Sequence, residues 1–197
     1  MKRDWLLAAV ALGLATGAAP AHAQDTPDGE AFVKAVREED GDKAIQLLRE
    51  NPIAVINARD DKGDTPLLIA IARRDARWTA WLLKEKADPN LANRAGDTPL
   101  IAAARIGYTD AVQWLMDLGA KIEKANRMGE TPLIVAVQQR QPMVVRQLLE
   151  RGANPDKADS AAGYSARDYA KRDTRMPELL RLIESAKTPA ATAKLKF

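Results

Sequence analysis

The sequence predicts an all-α protein in which pairs of short helices stack into a solenoid. The phrase GDTPL occurs at Gly63–Leu67 and again at Gly96–Leu100, and the near copy GETPL occurs at Gly129–Leu133. A phrase that recurs at a fixed interval, here 33 residues, is typical of repeat architectures. Behind each copy, apolar residues continue at helical spacing. A polar link then precedes the next copy, which predicts one helical unit per period.

Each copy opens with a helix start signal. Threonine stands at the N-cap position, where its hydroxyl accepts a hydrogen bond from one of the first free backbone N–H groups. Proline follows at the first helical position, where its missing N–H has no cost. These pairs are Thr65–Pro66, Thr98–Pro99 and Thr131–Pro132. In a fourth, divergent copy Ser165 takes the place of the threonine, and we predict that it is also an N-cap.

A second helix is predicted in each full unit, over the segments that contain Trp81–Leu83, Trp114–Met116 and Gln147–Leu149. Gly119 and Gly152 lie where such a helix ends with a positive φ. Lys86 takes that place in the first full unit, and we expect a looser helix end there because a residue with a β-carbon is strained at positive φ.

Two tryptophans, Trp81 and Trp114, occupy the same position in adjacent units. Side chains in register along a solenoid fill equivalent places. We therefore expect these two rings to stack, and to serve core or convex-face packing rather than a binding cage.

The period divides the chain into an ordered set of segments. We predict a short linker over 24–29 and units over about 30–59, 60–92, 93–125, 126–158 and 159–186. The outer units carry the charged runs REEDGDK and RDYAKRDTR, as end units of a solenoid require a polar outer face. The small, proline-containing, basic segment 187–197 is predicted to be disordered.

Thr-Pro-Leu at the start of a short helix, a second helix that ends in LLxxGA, and a period of 33 residues together resemble the ankyrin repeat. The resemblance covers roughly residues 30–186 and implies about five helix-turn-helix units joined by short hairpin links. The family usually places histidine after TPL, whereas this chain has Leu68, Ile101 and Ile134. We therefore expect apolar contacts where the family has a polar network between units.

The first 23 residues have the layout of a secretory signal peptide. Lys2 and Arg3 precede an apolar run, and Ala21-His22-Ala23 forms an A-x-A cleavage pattern. The run of about 15 residues is shorter than the roughly 20 that a membrane span needs. We predict cleavage after Ala23, no stable membrane insertion and a periplasmic protein, with secretion as the second choice. The resemblance to exported bacterial ankyrin-repeat proteins leads to the same expectation.

The composition excludes several kinds of catalytic site. The chain has no cysteine, and its single histidine, His22, lies in the predicted leader. After removal of the leader, neither residue type remains. This excludes zinc sites with cysteine or histidine ligands, and it excludes a cysteine nucleophile activated by histidine. The acidic stretch Asp60–Asp64 lacks the EF-hand spacing and instead indicates a hairpin turn closed by Asp60 and Gly63. We predict a protein that is not an enzyme and has no cofactor or metal; a hydrolase that uses carboxylates alone is the remaining catalytic alternative.

In ankyrin proteins the hairpin tips and the inner ends of the first helices form a concave partner-binding surface, and the resemblance implies the same use here. Arginine forks onto carboxylates and is a frequent interface anchor, so an acidic or mixed protein surface is the predicted partner. The alternative is a solvated face whose arginines are satisfied by Asp64, Asp97 and Glu130. The predicted partner-binding residues are Arg73, Arg94, Arg105, Ile106, Arg127, Met128, Gln138, Gln139 and Arg172.

These observations predict a non-catalytic adaptor, most simply a monomer, that binds another protein. A protector or inhibitor of an envelope or stress-defence enzyme is the alternative, and a secreted effector is a further one. The formal net charge of +3 and the predicted export both argue against a nucleic-acid partner.

Overall fold

A computed structural model describes residues 26–186, and this part of the chain forms helices joined by turns and hairpin links. Between these residues there is no strand, and an isolated antiparallel bridge joins Ala158 and Ser165. The all-α prediction is confirmed for this part of the chain. The predicted leader and the predicted disordered tail lie outside the described residues. The helices are α1 (Pro27–Glu38), α2 (Gly41–Glu50), α3 (Pro52–Val55), α4 (Pro66–Ala72), α5 (Ala76–Lys84), α6 (Pro99–Arg105), α7 (Thr109–Asp117), α8 (Pro132–Gln138), α9 (Pro142–Glu150), α10 (Ala166–Arg172) and α11 (Pro177–Ser185).

The predicted N-caps are confirmed for the first helix of four units. The hydroxyls of Thr65, Thr98 and Thr131 accept hydrogen bonds of 3.2–3.3 Å from the N–H group three residues further on. Ser165 forms a capping box with Asp168, in which each side chain accepts a hydrogen bond from the other residue's backbone N–H. These caps fix the starts of α4, α6, α8 and α10.

The first unit differs from its predicted outline. Helix α1 begins at Pro27, three residues before the predicted boundary, because Thr26 and Pro27 repeat the threonine–proline start signal of the later units. The Thr26 hydroxyl accepts from the N–H of Gly29 at 3.1 Å. The short helix α3 was also not expected; it starts at Pro52, which again occupies the first helical position.

Contact between units builds the core. The first helices pack in the order α1, α4, α6, α8 and α10, while α7 packs against both α5 and α9, and α9 packs against α11. Leu68, Ile101 and Ile134, at the place of the family histidine, are each at most 3% exposed. All three side chains are therefore buried, and Ile134 belongs to the apolar core cluster, as the expectation of apolar contact requires; for Leu68 and Ile101 the burial alone is observed. Most of the buried apolar side chains form one continuous cluster that runs from α1 to α11.

The expected stacking of Trp81 on Trp114 is wrong. Trp81 instead meets Trp78 edge to face, with ring centroids 5.2 Å apart, and Phe32 of the first unit at 6.3 Å. Trp114 pairs with Tyr108 of its own unit, with ring centroids 6.3 Å apart. The two tryptophans have different neighbours because the repeat position of Trp78 is held by alanine in the next unit. Both nevertheless pack against the core, as predicted.

The end of α5 is also not looser than its counterparts. Lys86 has a φ of 66°, as the pattern predicts. Its N–H donates to the carbonyl of Leu83 at 3.1 Å, and the next N–H donates to Leu82 at 2.9 Å. At Gly119 the corresponding distances are 3.2 and 2.9 Å. The hydrogen bonds of the cap therefore hold Lys86 in the left-handed region. The strain is confined to the backbone of Lys86 and does not lengthen these bonds.

Replacing Lys86 by glycine is expected to stabilise the protein by about 0.5–1 kcal/mol, because the relief of left-handed strain exceeds the extra conformational entropy that glycine loses on folding. The reverse change, Gly119→Lys, is the matched control. A β-carbon at Gly119 meets nothing within 4 Å, so this change should cost a similar amount through its backbone alone. Urea denaturation of both variants checks the pair of signs, and a destabilised Lys86→Gly protein would contradict the explanation.

Candidate functional site

The hairpin turns between units are built by one side chain at each turn. The carbonyl groups of Asp60, Asn93 and Asn126 accept from the N–H groups of Gly63, Gly96 and Gly129 at 2.8–3.0 Å. Their side-chain oxygens also accept from the backbone N–H groups two and four residues further on. The predicted turn closed by Asp60 and Gly63 is confirmed, and the same turn recurs in the next two units.

Backbone hydrogen bonds join each hairpin tip to the next. The N–H of Arg94 donates to the carbonyl of Lys62 at 3.0 Å, and that of Arg127 donates to Ala95 at 3.1 Å. The N–H of Ser160 donates to Met128 at 3.0 Å. Because both partners in each bond are main-chain groups, the tips are held in line and their side chains remain unused by this contact.

A second ladder, made of side chains, runs along the inner face. The Asn93 amide donates to Asp64 at 2.8 Å, and the Asn126 amide donates to Asp97 at 3.0 Å and to Glu130 at 2.8 Å. Asp64, Asp97 and Glu130 were the carboxylates that could have paired with the arginines of this face. Each of them accepts a hydrogen bond from an asparagine amide. Among the predicted arginines, Arg105 alone pairs with one of them, at 2.7 Å from Asp97.

Four of the predicted binding residues stand at the exposed edge of this face. Arg94 and Arg127 are exposed, and within residues 26–186 no carboxylate lies within 4.0 Å of either guanidinium. Met128 is 54% exposed beside Arg127, and Gln139 is exposed at the end of α8. The structure thus presents two unpaired cations and one apolar side chain on neighbouring tips.

Other predicted residues are engaged within the chain. Arg73 donates to the carbonyls of Val36 and Arg37 at 2.9 and 2.8 Å, which satisfies the end of α1, and its guanidinium lies 3.6 Å from Asp75. Its role is to join the first unit to the second, so we do not retain it as a free anchor. Ile106 is half-buried against the core.

The far end of the face is aromatic and basic. Arg172 is exposed and lies over the ring of Tyr164, 4.3 Å from its centroid. Gln138 is half-buried and, with Tyr169 and Arg172, lines a shallow cavity of about 320 Å³. The predicted residues thus divide between the hairpin tips, which carry Arg94, Arg127 and Met128, and the carboxyl ends of α8 and α10, which carry Gln138, Gln139 and Arg172.

Sequence reasoning missed an open groove at the other end of the face. It has a volume of about 630 Å³ and lies between the first two hairpins and the helices α4 and α6. Its lining contains both signs of charge and small side chains: Asp60, Asp61, Asp64 and Asp97, the cations Arg37, Lys62 and Arg73, and Ala72 and Ala102. The signal was present as the acidic stretch after α3, which the sequence analysis assigned only to a turn. The concave face therefore carries both signs of charge.

Two further arginines, which the sequence analysis did not single out, join successive units. Arg74 donates to the carbonyls of Ile106 and Gly107 at 2.9 and 3.3 Å. Arg140 donates to Asp173 at 2.5 and 3.3 Å. Both arginines have a positive φ, as Gly107 does. The sequence did contain a signal for these two arginines. They occupy the same repeat position as Gly107, at which the chain turns after the first helix of each unit.

Three carboxylates in the last unit, Asp159, Asp168 and Asp173, have lowered pKa values, and hydrogen bonds from Ser165 lower that of Asp168. Burial alone would raise the pKa of Asp159, but hydrogen bonds from the Tyr169 hydroxyl, at 2.6 Å, and from the N–H groups of Ala162 and Gly163 outweigh it. The hydrogen bond from Arg140 lowers the pKa of Asp173. Ionised carboxylates thus hold the last unit together and attach it to its neighbour.

Between residues 26 and 186 no cluster of three or more histidine, cysteine, aspartate or glutamate side chains is arranged to hold a metal ion. None of the helices in this part of the chain combines the length and the apolar character that crossing a membrane requires.

Gly96→Ala is expected to disrupt the stacking of the tips. A β-carbon there would lie 2.7 Å from the backbone nitrogen of Arg127, which donates the bond between the second and third tips. Gly152→Ala is the matched control, since Gly152 has the same φ of 84° and open space around it. In both variants the alanine adopts a positive φ, which lowers the free energy of unfolding by roughly 1–2 kcal/mol. In urea denaturation we expect Gly96→Ala to cost at least about 1 kcal/mol more; equal losses would show that the close approach does not matter.

The last unit is expected to lose stability in acid. A lowered folded-state pKa gives stabilisation that is complete above the unfolded-state value of about 3.9 and is lost as the pH falls through the folded value. The free energy of unfolding should therefore fall as the pH is lowered from about 5 to 2. Asp159→Asn with Asp173→Asn should flatten this dependence, whereas Asp42→Asn, an exposed change, should not. Urea titrations at a series of pH values measure the slopes, and an unchanged slope in the double variant would refute the assignment.

Comparison with known proteins agrees with this geometry. Residues 72–159 match the family model described as ankyrin repeats, in three copies. No curated protein gives a significant match to the chain. Ankyrin repeats generally mediate protein–protein interaction. The described residues thus form an all-α helix-turn-helix solenoid in which residues 72–159 match three ankyrin repeats.

Proposed function

We propose that this protein is a non-catalytic adaptor that binds another protein through the concave face of its solenoid. The observation that supports this most strongly is the edge formed by Arg94, Arg127 and Met128, which we call the tip edge. It places two exposed guanidinium groups and an exposed thioether on a backbone that is already fixed by hydrogen bonds between units. A fixed backbone lowers the conformational entropy lost on binding, and arginine and methionine are enriched at interfaces.

The partner that fits this face has a mixed surface. Its carboxylates would meet Arg94 and Arg127, because a guanidinium forks onto a carboxylate in a planar, bidentate geometry. Amide or basic groups would meet Asp61, which is exposed in the groove beside α4 and makes no ion pair within residues 26–186. Small side chains at Ala72 and Ala102 leave room for an approaching segment. An alternation of signs of this kind favours one orientation of the partner over the other.

The location that we propose is the bacterial periplasm. The charged start, apolar run and A-x-A pattern of residues 1–23 support it. Secretion to the outside is the second choice. The length of the amino-terminal segment after export, found by mass spectrometry of the purified protein, tests this part of the proposal independently of binding.

The chief alternative is a protector or inhibitor of an envelope or stress-defence enzyme. It uses the same face and differs in its consequence, since the activity of the bound enzyme would change in proportion to occupancy. A secreted effector and a carboxylate-only hydrolase have less support, because no observation on this face favours either over simple recognition.

Changing Arg94, Arg127 and Met128 to alanine is expected to abolish capture of one dominant partner. In a crosslinking pull-down from the periplasmic fraction, we expect its recovery to fall at least about tenfold, as loss of interface anchors typically costs 1 kcal/mol or more each. The three side chains make no hydrogen bond or ion pair in the described part of the chain, so stability should stay unchanged.

The matched control changes Arg146 and Arg181, two exposed arginines on the second helices α9 and α11, to alanine. It removes positive charge from the opposite face and should leave the capture intact. Equal recovery with the tip-edge variant and wild type would refute the tip edge as the site. Equal losses in both variants would point instead to nonspecific attraction by positive charge.

A further inference from the structure

The cavity at the carboxyl ends of α8 and α10 carries an excess of positive charge. Its volume of about 320 Å³ is at the lower end of the range typical of ligand sites, about 300–1,000 Å³. Among its lining residues are three arginines and one acid, namely Arg140, Arg172, Arg175 and Asp173, and the other lining residues are uncharged. We call this space the arginine cavity.

The carboxylate that lines the arginine cavity is already bound within the chain. Asp173 accepts from the guanidinium of Arg140 at 2.5 and 3.3 Å, and from the backbone N–H of Arg175 at 3.1 Å. The side chain of Arg175 lies 3.7 Å from Asp173 and is 77% exposed. Arg172 makes no hydrogen bond or ion pair within residues 26–186. The charge that Asp173 leaves unbalanced is therefore that of Arg172 and Arg175.

The charges around the arginine cavity do not offset this excess. Lys171 and Glu178 are exposed on α10 and α11, and their opposite charges cancel. The other nearby carboxylates accept hydrogen bonds from the described residues: Asp159 from Tyr169, Glu130 from Asn126, and Asp168 from Ser165. Asp159 and Glu130 are also buried. An anion is thus the complementary ligand for this cavity.

An aromatic stack holds one of the two arginines in place. The guanidinium carbon of Arg172 lies 4.3 Å from the centroid of the Tyr164 ring. Tyr164 meets Tyr169 edge to face with ring centroids 5.6 Å apart, and the Tyr169 hydroxyl donates to Asp159 at 2.6 Å. A guanidinium that lies on a ring keeps the N–H groups around its edge free. Arg172 can therefore fork onto a carboxylate with little further loss of side-chain entropy.

We propose that the arginine cavity binds two neighbouring carboxylate side chains of the protein partner. This inference rests on the proposed adaptor function and adds a second anchor to the tip edge. One carboxylate meets Arg172 in a bidentate geometry and the other meets Arg175. The amide of Gln138, which also lines the cavity, offers a donor and an acceptor to the partner's backbone.

A segment of the partner fits this cavity better than a free dicarboxylic acid does. Arg172 and Arg175 are exposed, and an ion pair between exposed groups contributes little by itself. Carboxylates on a protein that is already held at the tip edge are presented at a high effective concentration, so that weak contacts of this kind add to its affinity. A free acid has no such second contact.

The direct test titrates the full chain with the probe peptide acetyl-Gly-Glu-Glu-Gly-amide at low salt, and follows the arginine Nε–H signals by NMR. We expect the signals of Arg172 and Arg175 to move, and the peptide with glutamine in place of glutamate to leave them unchanged. Arg172→Gln with Arg175→Gln should weaken peptide binding at least about tenfold. The matched control, Arg146→Gln with Arg181→Gln, removes the same charge from exposed positions on α9 and α11 and should change binding less than about twofold.

A second pair of variants tests the aromatic stack. Tyr164→Leu removes the ring beneath Arg172 and should weaken peptide binding about two- to fivefold, the usual value of a cation–π contact at an exposed site. Tyr164→Phe keeps the ring and should retain most of the binding. Equal weakening by the two changes, or none by Tyr164→Leu, would overturn the role of the ring in positioning Arg172.

Several outcomes would count against the proposal. Equal weakening by the two arginine pairs would show nonspecific attraction and overturn the arginine cavity as a site. Succinate that moves the same signals at the same concentration as the peptide would overturn the partner segment as the occupant. In the crosslinking pull-down, the variant with glutamine at Arg172 and Arg175 should recover less of the dominant protein that the tip-edge variant loses.

The pull-down also separates this proposal from the adaptor function. Full recovery with the Arg172 and Arg175 variant, together with loss in the tip-edge variant, would overturn the second anchor and leave the adaptor function standing. Peptide binding at the arginine cavity, with no protein captured by the wild-type chain, would instead contradict the adaptor function and retain the carboxylate site.

Discussion

The hydrogen bond from each hairpin tip to the tip before it sets the geometry on which the rest of the structure depends. The bond requires two backbones to approach closely, and Gly63 and Gly96 allow this because a β-carbon on either would lie within 3.0 Å of the next tip's nitrogen. The spacing thus fixed determines how far apart the first helices stand. Their buried faces then meet as one core, which no single pair of helices of this length would form by itself.

The ends of the solenoid show what happens where this regularity stops. The first unit has the extra helix α3 in place of a standard link, and its second helix barely meets the next one. Arg73 compensates on the inner side by binding the carbonyls at the end of α1. At the other end, Arg140 and Asp173 attach the divergent last unit. Charged hydrogen bonds thus attach both outer units to their neighbours, and this part of the stabilisation should weaken as salt is added.

How much the sequence predicted depends on the range of the interactions involved. Thr98 and its equivalents were predictable as caps because an N-cap acts within four residues. Thr26 carried the same signal and was overlooked because no TPL phrase follows it. The partners of Trp81 and Arg73 could not be read from one repeat, since each depends on what a neighbouring unit places beside it. The groove beside α4 was missed for the same reason, because its walls come from three units.

The polar residues of the concave face have two different roles, and the contacts described above decide which residue has which role. Asparagine and aspartate side chains hold the turns and the inner ladder, while the tips are joined by main-chain groups alone. The guanidinium groups of Arg94 and Arg127 make no hydrogen bond or ion pair within residues 26–186, so we expect that these residues can vary in identity without loss of the fold. Arg105 lies between these cases, because its carboxylate partner also serves the ladder. Specificity for a partner would thus change most readily at the tips, where a substitution alters recognition and leaves the stacking of units intact.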